Sequence, residues 1–321
     1  MPKKFKSEYV LLTGRSNEDL AKSVAACLGK SITCPVSNFS DGEIRVKGNP
    51  NLRRLSVFII QSTCPPVNDN LIELILMIDA ARRASAAEII AIIPYFGYAR
   101  QDRKEQARVP ISASVIANII ADAGADRILT LDVHSPQSQG FITKPWDNLF
   151  GSYALIPKLK RDRLENCVIV SPDAGGFSNA AKYAKLLNVR DVAVVHKQRS
   201  VSLNNRSKIH SMIGNVRDKN VLIVDDMIDS GGTLVNSAEF LKECGANLIS
   251  VVATHGVFSG NCLQAIASSP IDKVLVTDTV GHRDEVLRHP KIAVVSVAAL
   301  IARAVTNIFS GDSLSEQLIL K

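Results

Sequence analysis

Short, uninterrupted runs of apolar residues recur along this chain, and they alternate with stretches in which apolar residues return at helical spacing. Val57–Ile60 and Val221–Val224 are two such runs. Runs of four to eight aliphatic and β-branched residues are typical of strands that are buried on both faces, as in parallel sheets covered by helices. The alternation therefore predicts an α/β fold with mainly parallel sheets flanked by helices.

A weak internal repeat divides the chain. Asp126–Asp132 resembles Asp272–Asp278, and each copy follows another strand-like run, Ile89–Ile93 in the first case and Leu248–Val252 in the second. Two copies of one βαβαβ unit in the same order predict two similar α/β domains that arose by duplication. Coincidence is the alternative, because buried strands resemble one another.

The length of the chain agrees with two domains. At 321 residues it has room for two domains of about 150 residues each. We therefore predict an N-terminal domain of residues 1–150 and a C-terminal domain of residues 151–321.

Composition narrows the classes of partner. No segment approaches ~18 consecutive apolar residues, and no apolar signal segment follows the basic start, which predicts a cytoplasmic protein with no membrane partner. The six cysteines are scattered without a Cys-x-x-Cys pair, so neither a zinc site nor a disulfide framework is predicted. The net charge of +7 is spread along the chain, which favours small anionic ligands over nucleic acid. A role in solubility alone is an equal alternative.

The strongest local signal is Val221–Thr233, where a buried strand ends in acids and passes through a small-residue turn into a helix. Backbone N–H groups at a helix N-terminus bind phosphate, and glycine lets the backbone approach it closely. Asp225 and Asp226 would then accept hydrogen bonds from ribose hydroxyls. An ordinary turn with Asp229 or Ser230 as the N-cap is the alternative. Adjacent acids at the end of a buried strand favour the binding interpretation, because they are costly without a partner.

This segment resembles the phosphoribosyl-diphosphate-binding motif shared by phosphoribosyltransferases and ribose-phosphate pyrophosphokinases. Resemblance to the pyrophosphokinases covers nearly the whole chain, whereas a phosphoribosyltransferase would not match across both halves. The other blocks that carry it are Phe39–Ile44, Gln61–Asn70, Pro94–Lys104, Asp132–His134, Gln139–Phe141, Ser171–Gly176, Lys197 with Arg199, and Ala253–Gly256. The resemblance implies two tandem phosphoribosyltransferase-like domains. It also implies transfer of the β,γ-pyrophosphoryl group of ATP to the 1-hydroxyl of ribose 5-phosphate, for nucleotide biosynthesis.

The resemblance further implies the site residues. Those implied to bind ATP are Phe39, Asp41, Glu43, Arg100, Gln101 and Asp102. Those implied to bind ribose 5-phosphate are Asp225, Asp226, Asp229, Ser230, Gly231, Gly232 and Thr233. His134 and Asp173 are implied to hold the metal ions, Mg²⁺ or in its place Mn²⁺, and Lys197 and Arg199 are implied to be catalytic.

Physical chemistry agrees with these roles, although each residue also has an ordinary structural interpretation. The aromatic, basic loop Pro94–Lys104 suits a triphosphate, but would in isolation be a solvated loop. His134 follows a strand end, where open α/β folds bind ligands. In-line attack on the β-phosphorus spreads negative charge, which Lys197 and Arg199 would stabilise without covalent participation.

The resemblance implies a homo-oligomer, a hexamer in this family, because an adenine ring stacked on Phe39 would lie in a pocket completed by a neighbouring subunit. The chain departs from the family's usual residues at Phe177, which follows Gly-Gly without the usual arginine segment, and at Gln198, where arginine is usual. A second hypothesis is therefore a catalytically weak paralogue that assembles with an active pyrophosphokinase. The retained Lys197 and Arg199 argue against it. Phosphate activation and ADP inhibition do not follow from these residues.

Overall fold

The computed structural model describes residues 8–162, 165–197 and 209–315. The chain forms two compact α/β units. The first comprises Met1–Phe150, Thr279–Gly281 and Val297–Lys321, and the second comprises Gly151–Asp278 and His282–Ser296. The predicted fold class is confirmed, since each unit has a mainly parallel sheet flanked by helices. The assignment of domains to residues 1–150 and 151–321 stays a prediction, because these units are interleaved in sequence.

The first unit is built on a six-stranded parallel sheet with the order β2-β1-β5-β6-β7-β8, beside a separate hairpin of β3 and β4. Its strands are β1 Tyr9–Thr13, β2 Ile32–Thr33, β3 Val36–Asn38, β4 Ile44–Val46, β5 Ser56–Ile60, β6 Glu88–Ile93, β7 Arg127–Leu131 and β8 Trp146–Leu149. Its helices in this part of the chain are α1 Glu18–Leu28, α2 Val67–Arg83 and α3 Ser112–Ala123, with a 3₁₀ helix at Pro136–Phe141.

The second unit is built on a seven-stranded sheet with the order β11-β10-β9-β12-β13-β14-β15, in which β11 alone of the described strands runs antiparallel to its neighbour. Its strands are β9 Cys167–Ser171, β10 Asp191–Lys197, β11 Ile209–Ile213, β12 Asn220–Ile228, β13 Ile249–Gly256, β14 Lys273–Thr277 and β15 Ile292–Val295. Its helices are α4 Ser152–Arg161, α5 Phe177–Leu187, α6 Gly232–Glu243, α7 Cys262–Ser268 and α8 Asp284–Leu287.

The last helix of the described chain, α9, spans Ala298–Ser310 and belongs to the first unit. It packs against α1, and the ring of Phe309 lies 4.8 Å from that of Tyr9 on β1. Seven of its residues are buried. Helix α9 is therefore part of the core of the first unit, although the second unit lies between it and Phe150 in the sequence.

The predicted buried strands carry the cores of both units. Val57–Ile60 and Val221–Val224 are buried on both faces, as expected for strands between layers of helices. The two repeat copies also make matching bonds, each within its own unit. Asp126 accepts the Ile89 N–H through Oδ2 at 3.0 Å, and Asp272 accepts the Ile249 N–H through Oδ2 at 2.7 Å. The repeat thus preserves a carboxylate clamp between two neighbouring strands.

Parallel strands place their carboxyl ends at one edge of each sheet, so the loops that leave those ends lie together. In the first unit these are the loops after β5, β6 and β7. In the second unit they are the loops after β9, β12 and β13. Most of the polar segments singled out in the sequence lie in or beside these loops and in the hairpin, whereas Lys197 ends β10 and Arg199 lies outside the described residues. No helix among the described residues is long and apolar enough to cross a membrane.

Candidate active site

The loop after β6 is anchored by buried aromatic residues. Tyr95 and Phe96 are buried, while Tyr98 is half-exposed and its hydroxyl contacts the Asn68 side chain. The Gly97 N–H donates to Thr63 Oγ1 at 2.7 Å, and a Cβ on Gly97 would lie 2.5 Å from the Thr63 carbonyl oxygen. Glycine is required here by the close approach of two backbones. The base of the loop is consequently fixed against the loop after β5.

The polar end of the same loop is tied to its neighbours. Gln101 Oε1 accepts from Ser112 Oγ at 2.5 Å, at the start of α3. Asp102 Oδ2 accepts from Ser135 Oγ at 2.6 Å and from Gln137 Nε2 at 3.2 Å. Arg100 is exposed. The loop after β6 is therefore joined to the loop after β7 and presents a guanidinium to solvent.

The loop after β7 carries His134, which is exposed at the carboxyl edge of the sheet. Asp132 has a φ of +36°, in the left-handed region that non-glycine residues rarely adopt. Its N–H donates to the Leu149 carbonyl at 2.9 Å, and the Val133 N–H donates to Asn148 Oδ1 at 3.0 Å. Bonds from β8 thus impose the turn that places His134.

The hairpin of β3 and β4 presents an aromatic ring and two acids. Phe39 is 49% exposed, and the Arg45 guanidinium lies 5.2 Å from its ring centroid. The Phe39 N–H donates to the Glu43 carbonyl at 2.8 Å, and the Glu43 N–H donates to Asp41 Oδ1 at 3.1 Å. Hydrogen bonds within the hairpin hold its backbone in place, while the Phe39 ring faces solvent. Exposure of this kind suits a ring that stacks on a ligand.

In the second unit, β12 passes into α6 through a turn with a left-handed glycine. Gly231 has a φ of +77°, and a Cβ there would lie 2.7 Å from Cys262 Sγ. The N–H groups of the first turn of α6 have no partner within the helix. A helix N-terminus of this kind, which here includes Gly232 and Thr233, is suited to binding an anion.

The segment Val257–Cys262 supports this turn from beneath. The Ile228 carbonyl accepts the N–H groups of Val257 and Phe258 at 2.9 and 3.1 Å, and the Asp229 carbonyl accepts the Ser259 N–H at 3.0 Å. Burial, with a smaller contribution from Asp229, raises the pKa of the Cys262 thiol to about 11. The thiol is therefore neutral and acts as packing under Gly231.

Three carboxylates gather at the carboxyl ends of β9 and β12. Burial raises the pKa of Asp225 well above its ordinary value, and the neighbouring charges of Asp226 and then Asp173 raise it further. Asp225 Oδ1 accepts the Asp226 N–H at 2.9 Å, and Asp173 Oδ1 accepts the Gly176 N–H at 2.9 Å. Mutual repulsion of this kind is relieved by a bound cation or by hydroxyl donors.

Two protein-family profiles match this chain. The profile of the N-terminal domain of ribose phosphate pyrophosphokinase matches residues 9–124, and that of the phosphoribosyl synthetase-associated domain matches residues 202–319. Ribose-phosphate pyrophosphokinases from Haemophilus ducreyi and Shewanella oneidensis are both 48% identical to it, over 95% of this chain and 97% of theirs. The chain belongs to the ribose-phosphate pyrophosphokinase family.

A solved structure of the family agrees. The crystal structure of phosphoribosylpyrophosphate synthetase from Mycobacterium smegmatis is 36% identical, has a TM-score of 0.89, and covers 95% of this chain and 100% of that chain. The similarity in sequence and fold confirms the predicted family and the enzyme class, a transferase of diphosphate groups. Phosphoryl-transfer enzymes of this family typically need a divalent metal ion.

The residues present fit a divalent cation of the Mg²⁺ kind. Within the described residues, no group of three or more His, Cys, Asp or Glu side chains is arranged to hold a metal by itself. Mg²⁺ keeps several waters and is usually bound through one or two carboxylates plus substrate phosphates. The carboxylates of Asp173, Asp225 and Asp226 would be partial ligands of this kind. His134 belongs to the first unit and Asp173 to the second.

Of the two residues implied to be catalytic, the structure describes only the backbone of Lys197. Lys197 is the last residue of β10, where its backbone pairs with Ile209. Its side chain lies outside the described part of the structure, as does the whole of Arg199. Their role remains a prediction.

Sequence reasoning missed the residues that hold the loops in place. Thr130, Trp146 and Asn148 lie inside strands, and Cys262 lies at the start of a helix. The solitary tryptophan was the one available signal, because a buried indole N–H usually needs a partner.

Proposed function

We propose that this enzyme transfers the β,γ-pyrophosphoryl group of Mg-ATP to the 1-hydroxyl of ribose 5-phosphate, giving 5-phosphoribosyl 1-diphosphate and AMP. The observation that carries the proposal is the group of three carboxylates beside the glycine turn of β12 and α6. A sugar phosphate suits this arrangement, because it carries an anion for the helix N-terminus and hydroxyl donors for the acids. The reaction itself is inferred from membership of the ribose-phosphate pyrophosphokinase family.

The ribose 5-phosphate site is assigned to the turn and to the acids before it. Amide groups of Ser230, Gly231, Gly232 and Thr233 would hold the 5-phosphate, with Asp229 closing the turn. Asp225 and Asp226 would accept hydrogen bonds from the ribose hydroxyls, which orients the 1-hydroxyl. Fixed orientation of the nucleophile removes much of the entropic cost of the reaction.

The ATP site is assigned to the loops of the first unit. Arg100, Gln101 and Asp102 would line the triphosphate, and the fixed base of this loop makes the site preorganised. Phe39 would stack on the adenine while Asp41 and Glu43 accept its amino group. Because the hairpin presents these residues to solvent, we assign them to the ATP site of a neighbouring copy.

The reaction is an in-line displacement at the β-phosphorus. The O1–Pβ bond forms as the 1-hydroxyl releases its proton to water, the bond between Pβ and the α,β-bridging oxygen breaks, and AMP leaves with the charge on that oxygen. His134 in the first unit and Asp173 in the second are each assigned to metal binding, and Mg²⁺, or Mn²⁺ in its place, would neutralise phosphate charge when bound. Lys197 and Arg199 would meet the charge that develops on the equatorial and leaving oxygens.

The homo-oligomer that this assignment requires has support in exposed apolar side chains. Helices α2 and α3 contact each other. Each exposes a pair of large apolar side chains one helical turn apart, Ile72 with Leu76 on α2 and Val115 with Ile119 on α3. Surfaces of this kind are usually covered by a partner. We propose a homo-oligomer, with a hexamer as the expected form, and sedimentation at micromolar concentration measures it directly.

The test of the reaction is AMP formation from ATP that depends on ribose 5-phosphate, measured with inorganic phosphate varied. Dependence on ribose 5-phosphate in the isolated chain supports the pyrophosphokinase. Activity that appears only after addition of a second family member would show a regulatory paralogue instead. Mixing Phe39→Ala with Arg100→Ala protein tests the shared site, since mixed oligomers regain intact ATP sites only if the hairpin serves a neighbour.

A further inference from the structure

A buried chain of hydrogen bonds runs from the single tryptophan to the histidine loop. Trp146 Nε1 donates to Thr130 Oγ1 at 3.0 Å, and Thr130 Oγ1 donates to Asn148 Oδ1 at 3.0 Å. Asn148 Oδ1 also accepts the Val133 N–H at 3.0 Å. Trp146, Thr130 and Asn148 are all buried. We call these three residues the relay.

The relay ends at Asn148, which is bonded to the strained turn at Asp132 and Val133. Val133 stands between Asp132, with its φ of +36°, and His134. A non-glycine residue in this conformation is strained, and the conformation persists only where its surroundings impose it. The Asn148 bond is one of two bonds from β8 that impose it, the other being the bond from the Asp132 N–H to Leu149. The relay therefore acts directly on the backbone that carries His134.

The relay begins at Trp146, which contacts the loop after β6. The indole of Trp146 lies 5.1 Å from the ring of Phe96, at an angle of 53°, and Phe96 is a buried anchor of the loop that carries Arg100 and Asp102. At their far ends the two loops meet in the bond from Ser135 to Asp102. Trp146 thus contacts the loop after β6 through Phe96, and it is linked to the loop after β7 through Thr130 and Asn148.

We propose that Trp146, Thr130 and Asn148 are positioning residues that hold the His134 loop in register with the Arg100 loop. The relay does not touch substrate. It acts through Val133 on the imidazole and through Phe96 on the loop for the triphosphate. This inference rests on the proposed roles of His134 and Arg100. Buried polar networks that are fully bonded fix a single geometry, and partial loss of one loosens it.

The first test uses the fluorescence of the intact wild-type chain. Trp146 is the only tryptophan in the sequence, so the emission reports on the relay without labelling. Titration with Mg-ATP in the absence of ribose 5-phosphate is expected to change the emission in a saturable manner, with Mg²⁺ alone giving a smaller change. Emission that stays constant at saturating Mg-ATP would overturn the proposal.

The second test breaks the relay at its centre. Thr130→Val removes the bridging hydroxyl with little change in shape. Loss of an outer partner of a metal-binding residue typically costs about 10–100-fold in metal affinity or activity. The half-saturating Mg²⁺ concentration, read from the Trp146 emission at fixed ATP, is expected to rise by about 10-fold or more, while the KM for ribose 5-phosphate changes by less than about twofold.

Thr13→Val is the matched control. Thr13 is a buried threonine of the same sheet, and its hydroxyl bonds backbone oxygen atoms, among them the Ile60 carbonyl at 3.1 Å, outside the relay. Equal Mg²⁺ dependence in the two variants would overturn the inference. Trp146→Phe removes the N–H and keeps a ring against Phe96, so it tests the same dependence by activity if Thr130→Val does not fold. Failure of the proposed function is distinct, since the wild type would then form no AMP that depends on ribose 5-phosphate.

Discussion

Ser135 donates a 2.6 Å hydrogen bond to Asp102 Oδ2, and this bond joins the loop assigned to the triphosphate with the loop assigned to the metal. Ser135 is buried, so its hydroxyl has little access to water as a replacement partner. The two loops therefore hold each other in place before any substrate binds. Preorganisation of this kind lowers the cost of ordering the site when Mg-ATP arrives.

Ser135→Ala is expected to release this connection. Removing a hydrogen bond to a charged group costs roughly 1.5–3 kcal/mol, and we expect most of the loss as a rise in the KM for Mg-ATP. The KM for ribose 5-phosphate should change by less than about twofold. Steady-state assays with each substrate varied in turn measure both constants. Equal increases in both would show general loosening of the fold rather than loss of this bond.

Asp225→Asn is expected to stabilise the protein while weakening its substrate site. Because the pKa of Asp225 is raised above its ordinary value of 3.8 by burial and by Asp226 and Asp173, the folded state holds this proton more tightly than the unfolded state does. The contribution of this group to stability is present at acid pH and is lost as the pH rises through the folded-state pKa. The gain in the free energy of unfolding from Asp225→Asn should thus grow from acid to neutral pH.

Denaturant unfolding at several pH values measures this gain. Glu239→Gln, which removes an exposed carboxylate on α6, is the control and should show no such growth. The KM of Asp225→Asn for ribose 5-phosphate should rise, since a charge-assisted bond is worth roughly 1.5–3 kcal/mol. A flat stability difference across pH would argue against the clustered carboxylates.

Gly231→Ala and Gly232→Ala differ by one position and should differ sharply in effect. A Cβ on Gly231 meets Cys262 Sγ at 2.7 Å in a left-handed backbone, whereas a Cβ on Gly232 meets nothing within 4 Å. The left-handed conformation costs a non-glycine residue about 1–2 kcal/mol, so Gly231→Ala should lower stability and raise the KM for ribose 5-phosphate. Similar constants for the two variants would show that the turn tolerates displacement.

Phe39→Ala is expected to raise the KM for ATP far more than that for ribose 5-phosphate, because stacking on a base is worth about 1–3 kcal/mol. Phe177→Ala serves as the control, since Phe177 is 48% exposed and Phe39 is 49% exposed. Both variants remove an exposed ring, so any common effect is not recognition of adenine. The oligomeric state of Phe39→Ala should be confirmed by sedimentation.

Lys197→Ala and Arg199→Ala are expected to lower kcat by at least ~10²-fold with little change in KM, comparable to the loss of one oxyanion donor. Gln198→Arg, which restores the usual residue of the family, should change kcat by less than about threefold if the two neighbouring cations suffice. Stopped assays for AMP at saturating substrates measure all three variants. A large gain in Gln198→Arg would instead indicate a weakened paralogue.

The sequence predicted those parts of the site that depend on local pattern. Asp225, Asp226 and Gly231 could be placed because a buried run, two acids and a glycine turn are contiguous, and each has its own physical signature. Contacts between distant segments have no such signature. The bond that the Val133 N–H donates to Asn148 and the packing of Cys262 against Gly231 depend on which loops meet, and this follows from strand register and helix packing. The packing of α9 on α1 has no local signature for the same reason, because in the sequence α9 has the pattern of an ordinary amphipathic helix.

The position of α9 on α1 sets an order of events during synthesis. The first unit is complete only when its last helix has left the ribosome, after the entire second unit has been made. Contacts of such long sequence separation are slow to form, and they leave the apolar side of α1 uncovered in the nascent chain. The unit to which we assign the ATP site is therefore begun first and completed last, so a premature stop codon just before the codons for α9 would harm this unit.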